Sequence, residues 1–267
     1  MDDNLSRDRH WPQQGELRGT VVLVHGIGEH SGRYERFATA LAQAGFRVHG
    51  FDLPGHGRDP GRRADVQDWS LFLDAIAARV VAEREAAAAA GAPLILFGHS
   101  MGGLLSLEYV LSERPAPHLL VLSAPALAGG AAWQRLTAPL AAALAARLRL
   151  PTGIRGEDLS RDPEVARDYF ADPLVETRAS TYLAASLFSA MRRCREGAKA
   201  MPLPTLVLHG DHDRIVPPDA SACIDGDDVT RRVYAGLRHE LLNEPEAAEI
   251  TSDIIVWLES RRLAVVR

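Results

Sequence analysis

The sequence predicts an α/β protein in which helices flank a mostly parallel central sheet. Three features of the 267-residue chain predict it: short runs of β-branched and large apolar residues recur, a glycine-containing turn follows each run, and a helical pattern follows each turn. The runs are apolar almost throughout and do not alternate with polar residues. Strands of this kind are buried on both faces, as in a parallel sheet that helices cover.

Six runs are predicted to form buried central strands, and right-handed crossovers between them follow from strand twist. In chain order they are residues 20–24, 48–52, 94–98, 119–123, 205–209 and 231–234. The segment before residue 20 is long enough for one further short strand, around residues 5–10. The leading edge of the sheet is therefore expected to be short.

Helical patterns between these runs predict the helices that flank the sheet. They cover residues 34–44, 68–90, 101–114 and 244–262. Ser31 and Asp68 are candidate N-caps for the first two helices, since their side chains can accept a hydrogen bond from the first turn. Gly45 and Gly91 can supply the positive φ that ends each of them.

The alternation breaks once, at residues 127–201, which contain helical pattern and no strand-like run. Connections in α/β units are typically about 2 to 6 residues long, so this segment is predicted to be a helical cap inserted into the core. The core is then made of residues 1–126 and 202–267. Pro139 is expected to kink or split the first cap helix.

An apolar stripe lies on one face of that first cap helix. Its members are Trp133, Leu136, Leu140, Leu144 and Leu148. Open α/β sheets bind ligands at the carboxyl ends of their strands, so the stripe could roof a pocket at that edge. Alternatively, it could only pack the cap onto the core.

Composition excludes several classes of protein. The net charge is −5, and no block of Lys or Arg provides an electrostatic footprint for nucleic acid or for an anionic membrane surface. Small-molecule partners are expected instead. Cys194 and Cys223 cannot form a disulfide framework and have no metal-binding spacing. The chain starts with acidic residues and no apolar stretch follows them, which predicts a cytoplasmic protein. The longest apolar tract, at 136–150, is interrupted by Pro139 and Arg147, so no membrane span is expected.

The sharpest chemical motif is a GxSxG sequence at residues 98–102, which follows one predicted strand and opens one predicted helix. This context is typical of a nucleophile on a tight, strained turn. Glycines two residues to either side leave room for the approaching chains. Ser100 is therefore the candidate nucleophile, exposed at the sheet edge above the positive end of a helix.

A serine hydroxyl needs a base and an orienting acid, and in this type of fold the chain order is Ser, then Asp or Glu, then His. His239 follows the last predicted strand and is the candidate base. Asp211 and Asp213 both follow the preceding strand. The residues alone do not choose between them, and the one not used would stabilise its turn.

Stabilisation of an oxyanion requires two backbone donors. One is expected from Met101, directly after the nucleophile, and the other from Ile27 in the HGIG turn that follows the first predicted strand. Glycines on both sides of Ile27 let its N–H turn towards Ser100.

These motifs resemble the monoacylglycerol lipase and lysophospholipase branch of the serine α/β-hydrolases, and the similarity runs through most of the chain. The matching segments are residues 25–34, 52–57, 98–103, 159–163, 171–174, 209–213 and 237–240. The resemblance implies an α/β-hydrolase fold with a helical cap, Asp213 as the triad acid, a site for one acyl chain beneath the cap, and no cofactor or metal. Asp59, where the family usually has Ser, and the short leading edge depart from the pattern.

The predicted function is hydrolysis of carboxylic esters through an acyl-Ser100 intermediate, with a small lipid-like ester as partner. Monoacylglycerol lipase activity is favoured, and lysophospholipase or small-ester carboxylesterase activity is the alternative. Transient contact of the cap with a membrane or micelle is compatible with this function. The sequence does not indicate an oligomeric state. Asp52 and His56 are predicted to stabilise turns.

Two other classes compete. A metal-dependent hydrolase would use His209 and His212, but their spacing in HGDHD lacks the HxHxDH order of metallo-hydrolases. A lipid-binding member without catalysis would normally have lost part of the triad. Epoxide hydrolases and dehalogenases require Asp where Ser100 stands.

Overall fold

The computed structural model describes residues 7–265, including the side chains of residues 7–262. Its strands are β1 (Asp8–Trp11), β2 (Gly19–Val24), β3 (Phe46–Phe51), β4 (Leu94–His99), β5 (Leu119–Ser123), β6 (Arg149–Pro151), β7 (Arg178–Ser180), β8 (Thr205–Gly210) and β9 (Val229–Tyr234). The main sheet has the order β1-β3-β2-β4-β5-β8-β9, and every neighbouring pair is parallel except β1 and β3. The predicted α/β fold is confirmed.

The two edges of the sheet differ from its centre. The expected short leading strand is β1, which pairs antiparallel with β3; positions 5 and 6 of the predicted range lie outside the described residues. At the other edge, the prediction of a buried strand at residues 231–234 is wrong, because β9 has a single neighbour and its residues are half-buried or exposed.

Helices cover both faces of the sheet. They are α1 (Glu35–Gln43), α2 (Ser70–Ala89), α3 (Met101–Val110), α4 (Ala132–Ala145), α5 (Gly156–Leu159), α6 (Pro163–Ala171), α7 (Thr181–Gly197) and α8 (Ala247–Val265). One core lies between the sheet and α2, α3 and α7, and the other lies between the sheet and α1 and α8. Strand β2 contributes side chains to both cores, because Val22 and Val24 face the first core and Val21 and Leu23 face the second.

The predicted ends are correct to within about two residues for α1 and α2, whereas α3 ends at Val110 and not at 114, and α8 is shifted by three residues from the predicted 244–262. Gly45 and Gly91 have φ of +92° and +61°. Asp68 accepts the Ser70 N–H at 2.9 Å, although the N-cap residue of α2 is Trp69, one position later than predicted. The assignment of Ser31 as a cap is wrong, because Ser31 begins a short 3₁₀ helix (Ser31–Tyr34) and its hydroxyl donates to Asp52 at 2.6 Å.

The segment between β5 and β8 contains α4 to α7. The expectation that it has no strand is wrong, since β6 and β7 form a small antiparallel sheet. Helix α4 also continues through Pro139 and is not split. We call residues 127–201 the cap; these boundaries stay a prediction.

The apolar stripe faces outwards, with four members on α4 and Leu148 just after the helix ends at Ala145. All five members are exposed, with Leu136 at 81% and Leu144 at 79% of their full accessible surface. The alternative that the stripe packs the cap onto the core is therefore wrong. Within residues 7–265, no helix has the length and apolar character that crossing a membrane requires.

Candidate active site

Ser100 lies on the tight turn between β4 and α3. Its φ of +53° and ψ of −118° are the strained values expected for a nucleophile on such a turn. The glycines at 98 and 102 are required by close backbone approach, because a Cβ at Gly98 would collide with the Gly102 carbonyl oxygen and one at Gly102 would collide with that of Val24. The sequence thus forces the Ser100 side chain to the carboxyl edge of the sheet.

Asp213 and His239 meet at the same edge, from the loops after β8 and β9. Nδ1 of His239 donates to Oδ2 of Asp213 at 2.7 Å, and both side chains are buried. The other oxygen of Asp213 accepts the N–H groups of Ile215 and Val216 at 2.9 Å each. These bonds fix the carboxylate and thereby the tautomer that leaves Nε2 of His239 without a proton.

Asp211 serves its own turn. Its carboxylate accepts the Gly236 N–H at 2.6 Å and pairs with the exposed His212 at 2.9 Å. Of the two aspartates that the residues left open, the structure brings Asp213 to His239 and turns Asp211 away from it.

No hydrogen bond joins Ser100 and His239 within residues 7–265. The ring centroid of His99, the residue before Ser100, is 4.8 Å from that of His239, so the loops that carry Ser100 and His239 adjoin each other. Catalytic hydrogen bonds are often long without substrate and tighten when it binds. Of the two hydrogen bonds expected in the triad, the described residues therefore form the one between His239 and Asp213 but not the one between Ser100 and His239.

The electrostatics raise the pKa of His239. Burial lowers its pKa, but the Asp213 carboxylate outweighs burial and holds the pKa above the usual 6.5. The pKa of Asp213 lies far below its usual value, because the charge of His239 and several hydrogen bonds overcome the effect of burial. Burial and the charge of His239 lower the pKa of the neighbouring His99 to about 4, so His99 stays neutral.

Ile27 and Met101 line one cavity together with Ser100. Within the described residues, no protein group accepts the backbone N–H of either one. The N–H of Gly26, one residue earlier, is by contrast taken by Glu29 at 2.6 Å. Two unpaired donors beside a nucleophile are what a developing oxyanion requires.

The cavity beside Ser100 has a volume of about 420 Å³. Cap residues provide most of its wall, among them Ala138 of α4, Ala179 of β7 and Leu187 of α7. The cavity wall is thus the inner side of α4, next to the exposed stripe. Trp133 belongs to both surfaces, and the other four stripe residues do not line the cavity.

A buried ionic network beside His239 was missed by sequence reasoning. Arg33 bonds Glu29 at 2.7 Å and Glu240 through two bonds of 2.7 Å. Although burial raises it, the charge of Arg33 brings the pKa of Glu29 to about 2. Since Glu29 holds Gly26 and Glu240 follows His239, Arg33 connects the two catalytic loops. The EHSGRY segment at residues 29–34 contains Glu29 and Arg33, but residue types alone do not specify which side chains pair.

Two cap segments contact these loops. Gly28 accepts the Glu176 N–H at 2.7 Å, and His30 donates to Asp172 at 2.8 Å. Leu159 accepts the N–H of Glu240 at 2.8 Å. The cap is therefore fastened to the loop of Ile27 and to the loop of His239.

The remaining polar residues of the motifs stabilise turns. Asp52 accepts the N–H groups of Ser31 and Arg58 at 2.9 and 2.8 Å, and Nδ1 of His56 bonds the carbonyl oxygen of Pro54 at 2.9 Å. Asp59 accepts the N–H of Gly55 at 2.8 Å, so this departure from the family pattern organises its own loop.

His209 and His212 do not converge as a metal site would require. His209 is fully buried, with Nδ1 at 3.1 Å from Ser221 Oγ and Nε2 at 3.0 Å from the Val216 carbonyl oxygen. His212 faces solvent.

Comparison with known proteins decides the family. A model of the family described as serine aminopeptidase, S33 (Hydrolase_4) matches residues 15–246. The chain belongs to this S33 family. The S33 family assignment, together with the relatives below, confirms the predicted relationship to the monoacylglycerol lipase branch of the α/β-hydrolases.

Three relatives of this S33 chain carry lipase names. A monoacylglycerol lipase from Mycolicibacterium smegmatis is 35% identical over 94% of this chain and 91% of its own length. The human monoglyceride lipase is 29% identical, covering 95% of this chain and 86% of its own length. The crystal structure of a monoacylglycerol lipase from Paleococcus ferrophilus is 34% identical, with a TM-score of 0.85 over 95% of this chain and 98% of that one. The S33 chain is a serine hydrolase of carboxylic esters, as predicted.

Proposed function

We propose that the chain hydrolyses monoacylglycerols, or esters of a similarly small alcohol with a medium or long acyl chain, through an acyl-Ser100 intermediate. The observation that carries the proposal is the cavity of about 420 Å³ that adjoins Ser100 and has a largely apolar cap wall. Its volume is within the range of sites that enclose a small ligand. The lipase names of the relatives favour the same substrate class.

The reaction uses Ser100, His239 and Asp213 in the usual roles. His239 accepts the hydroxyl proton of Ser100 as Oγ attacks the ester carbonyl, and it returns a proton to the departing alcohol. Asp213 orients the imidazole and stabilises the imidazolium. The N–H groups of Ile27 and Met101 receive the oxyanion. Water, activated by His239 in the same way, then attacks the acyl enzyme and releases the fatty acid.

The outward stripe of α4 supports a contact with a lipid aggregate. Monomeric proteins rarely expose contiguous apolar patches without a use for them. This patch is continuous with the cavity wall through Trp133. A monoacylglycerol in a micelle or membrane would therefore meet the apolar face of the cap before it reaches Ser100.

A single set of assays tests the proposal. Glycerol, lysophospholipid and p-nitrophenyl esters of matched chain length are compared, each as the acetyl and the lauroyl ester. The glycerol lauroyl ester is expected to have the highest kcat/KM. Ser100→Ala should lower kcat/KM at least about a thousandfold and abolish labelling by a fluorophosphonate, whereas Ser112→Ala, in the turn after α3, should change neither.

Three outcomes would contradict parts of the proposal. Retained turnover in Ser100→Ala would refute the nucleophile. A preference for the lysophospholipid would show that the substrate's head group is not glycerol. Equal rates on acetyl and lauroyl esters would refute the acyl-chain site.

A further inference from the structure

We propose that His10, His49 and Glu83 form a binding site for one divalent transition metal ion of the zinc class. The site lies between the edge pair β1–β3 and helix α2. Strand β2 separates it from β4, which leads to Ser100, so it is distinct from the active site.

Strand register places the two histidines together. His10 of β1 is directly opposite His49 of β3 in the antiparallel pair, and their ring centroids are 4.1 Å apart. Directly paired residues of neighbouring strands project from the same face of a sheet. Glu83 reaches this face from α2, with Oε1 at 3.0 Å from Nδ1 of His49.

The spacing of the three groups suits a metal ion. Each offers one ligand atom, and these atoms all lie within 4.8 Å of one another. Ligands at zinc bond lengths of about 2.1 Å are about 3.4 Å apart in a tetrahedron, so the largest separation has to shrink by about 1.4 Å to close the site. His10 is exposed and Glu83 has a long side chain, which allows this adjustment.

A carboxylate already orients His49 for this role. Nε2 of His49 lies 3.0 Å from Oδ1 of Asp8, and Arg79 holds Asp8 through two bonds of 2.9 Å. A carboxylate that accepts the N–H of one ring nitrogen presents the other nitrogen to a metal, and it makes that nitrogen more basic. Nδ1, which faces Glu83, is therefore the ligand atom of His49.

The ligand set identifies the class of ion. Two imidazoles and one carboxylate favour Zn²⁺ and its neighbours Cu²⁺ and Ni²⁺ over Mg²⁺ or Ca²⁺, which prefer oxygen ligands. Arg47 lies 3.9 Å from Oε2 of Glu83. The oxygen that faces His49 is Oε1, so this cation does not stand between the ligands.

A bound ion would join β1, β3 and α2. Strand β1 pairs with β3 alone, so an ion held by all three elements would protect this edge from opening. It would touch none of the groups that act on the ester.

Zinc titration of the chelator-treated full-length protein tests the proposal. Calorimetry should show one equivalent of Zn²⁺ bound, and Zn²⁺ should raise the Tm and slow amide exchange in β1. His10→Ala and Glu83→Gln should each weaken binding at least about tenfold and remove the Tm shift. His212→Ala, which removes another exposed histidine beside a carboxylate, is the matched control and should bind like the native chain.

The absorption of bound Co²⁺ is a second readout, because it reports imidazole ligation without reference to stability. Native protein that binds no Zn²⁺, or His10→Ala protein that binds it as tightly as the native chain, would overturn the proposal. Loss of binding in His212→Ala would do so as well.

Discussion

His239 is held between two opposing influences on its pKa. Burial disfavours the imidazolium and Asp213 favours it, with the net result that the pKa lies above 6.5. The consequence for catalysis follows from the protonation state that the reaction needs. A general base must be neutral, so a raised pKa removes activity at a higher pH than an ordinary histidine would.

The pH dependence of kcat/KM should show this directly. On acidification, kcat/KM should fall through an apparent pKa above 6.5, in the native chain. Asp213→Asn removes the charge that supports the imidazolium while burial remains, so the acid limb should move to lower pH and kcat should drop about 10⁴-fold. Asp211→Asn is the matched control and should keep the native profile. A profile that is flat from about pH 5 to 8 would contradict the assigned base.

For individual residues of the site, the sequence predicted the structure wherever the chemistry requires one residue type in one local context. The strained Ser100 turn and the glycines around it could be predicted because only a strand, a GxSxG and a helix in that order satisfy the sterics. The choice of Asp213 over Asp211 required family resemblance, since both follow β8. The Arg33 network could not be derived, because ion pairs between residues 33 and 240 depend on how the loops meet.

Helix α4 shows what periodicity does and does not determine. The spacing of its leucines correctly placed them on one face, but an amphipathic pattern does not tell which side of the helix is covered. In the structure the small residues of α4 face the cavity and the leucines face outwards. Strands β6 and β7 were missed because three-residue strands carry too little pattern to be recognised.

The exposed face of α4 predicts a dependence on the physical state of the substrate. Replacing Leu136 and Leu144 together by Ser should lower the rate on micellar or vesicle-bound monoacylglycerol by about tenfold or more, since burial of each leucine contributes about 1.5–3 kcal/mol. The rate on a water-soluble acetyl ester should stay unchanged. Parallel rates on the two substrates at increasing lipid concentration provide the measurement.

The control for this prediction removes apolar surface elsewhere. Val81 of α2 and Val256 of α8 are also exposed, and their joint replacement by Ser should affect neither substrate. An equal loss on both substrates in the α4 variant would indicate damage to the cavity and would contradict a lipid contact.

The whole molecule is organised around the convergence of separate loops at one edge of the sheet. Strand order brings β4 and β8 to either side of β5, and β9 follows β8. The turns after β4, β8 and β9 then carry Ser100, Asp213 and His239. The cap adds a second constraint, because it bonds both the Ile27 loop and the His239 loop. The mostly parallel sheet could be predicted from the pattern of elements, whereas its strand order and these cap contacts were observed only in the structure.

The bond between His30 and Asp172 is a side-chain contact that fastens the cap to the Ile27 loop, so its loss should disturb the oxyanion donor that this loop carries. Asp172→Ala would remove the bond between Nε2 of His30 and the cap, and among the described residues the Gly28–Glu176 backbone bond would still hold the cap segment at 172–176 to the Ile27 loop. Small displacements of catalytic donors cost up to about a hundredfold in rate. We therefore expect kcat to fall by about tenfold to a hundredfold, amide exchange at 172–176 to accelerate, and the free energy of unfolding to change by only about 1–2 kcal/mol. Asp168→Ala, on the exposed side of α6, should alter none of the three. A native kcat in Asp172→Ala, despite faster exchange in the segment, would show that the cap can loosen without disturbing the oxyanion donors.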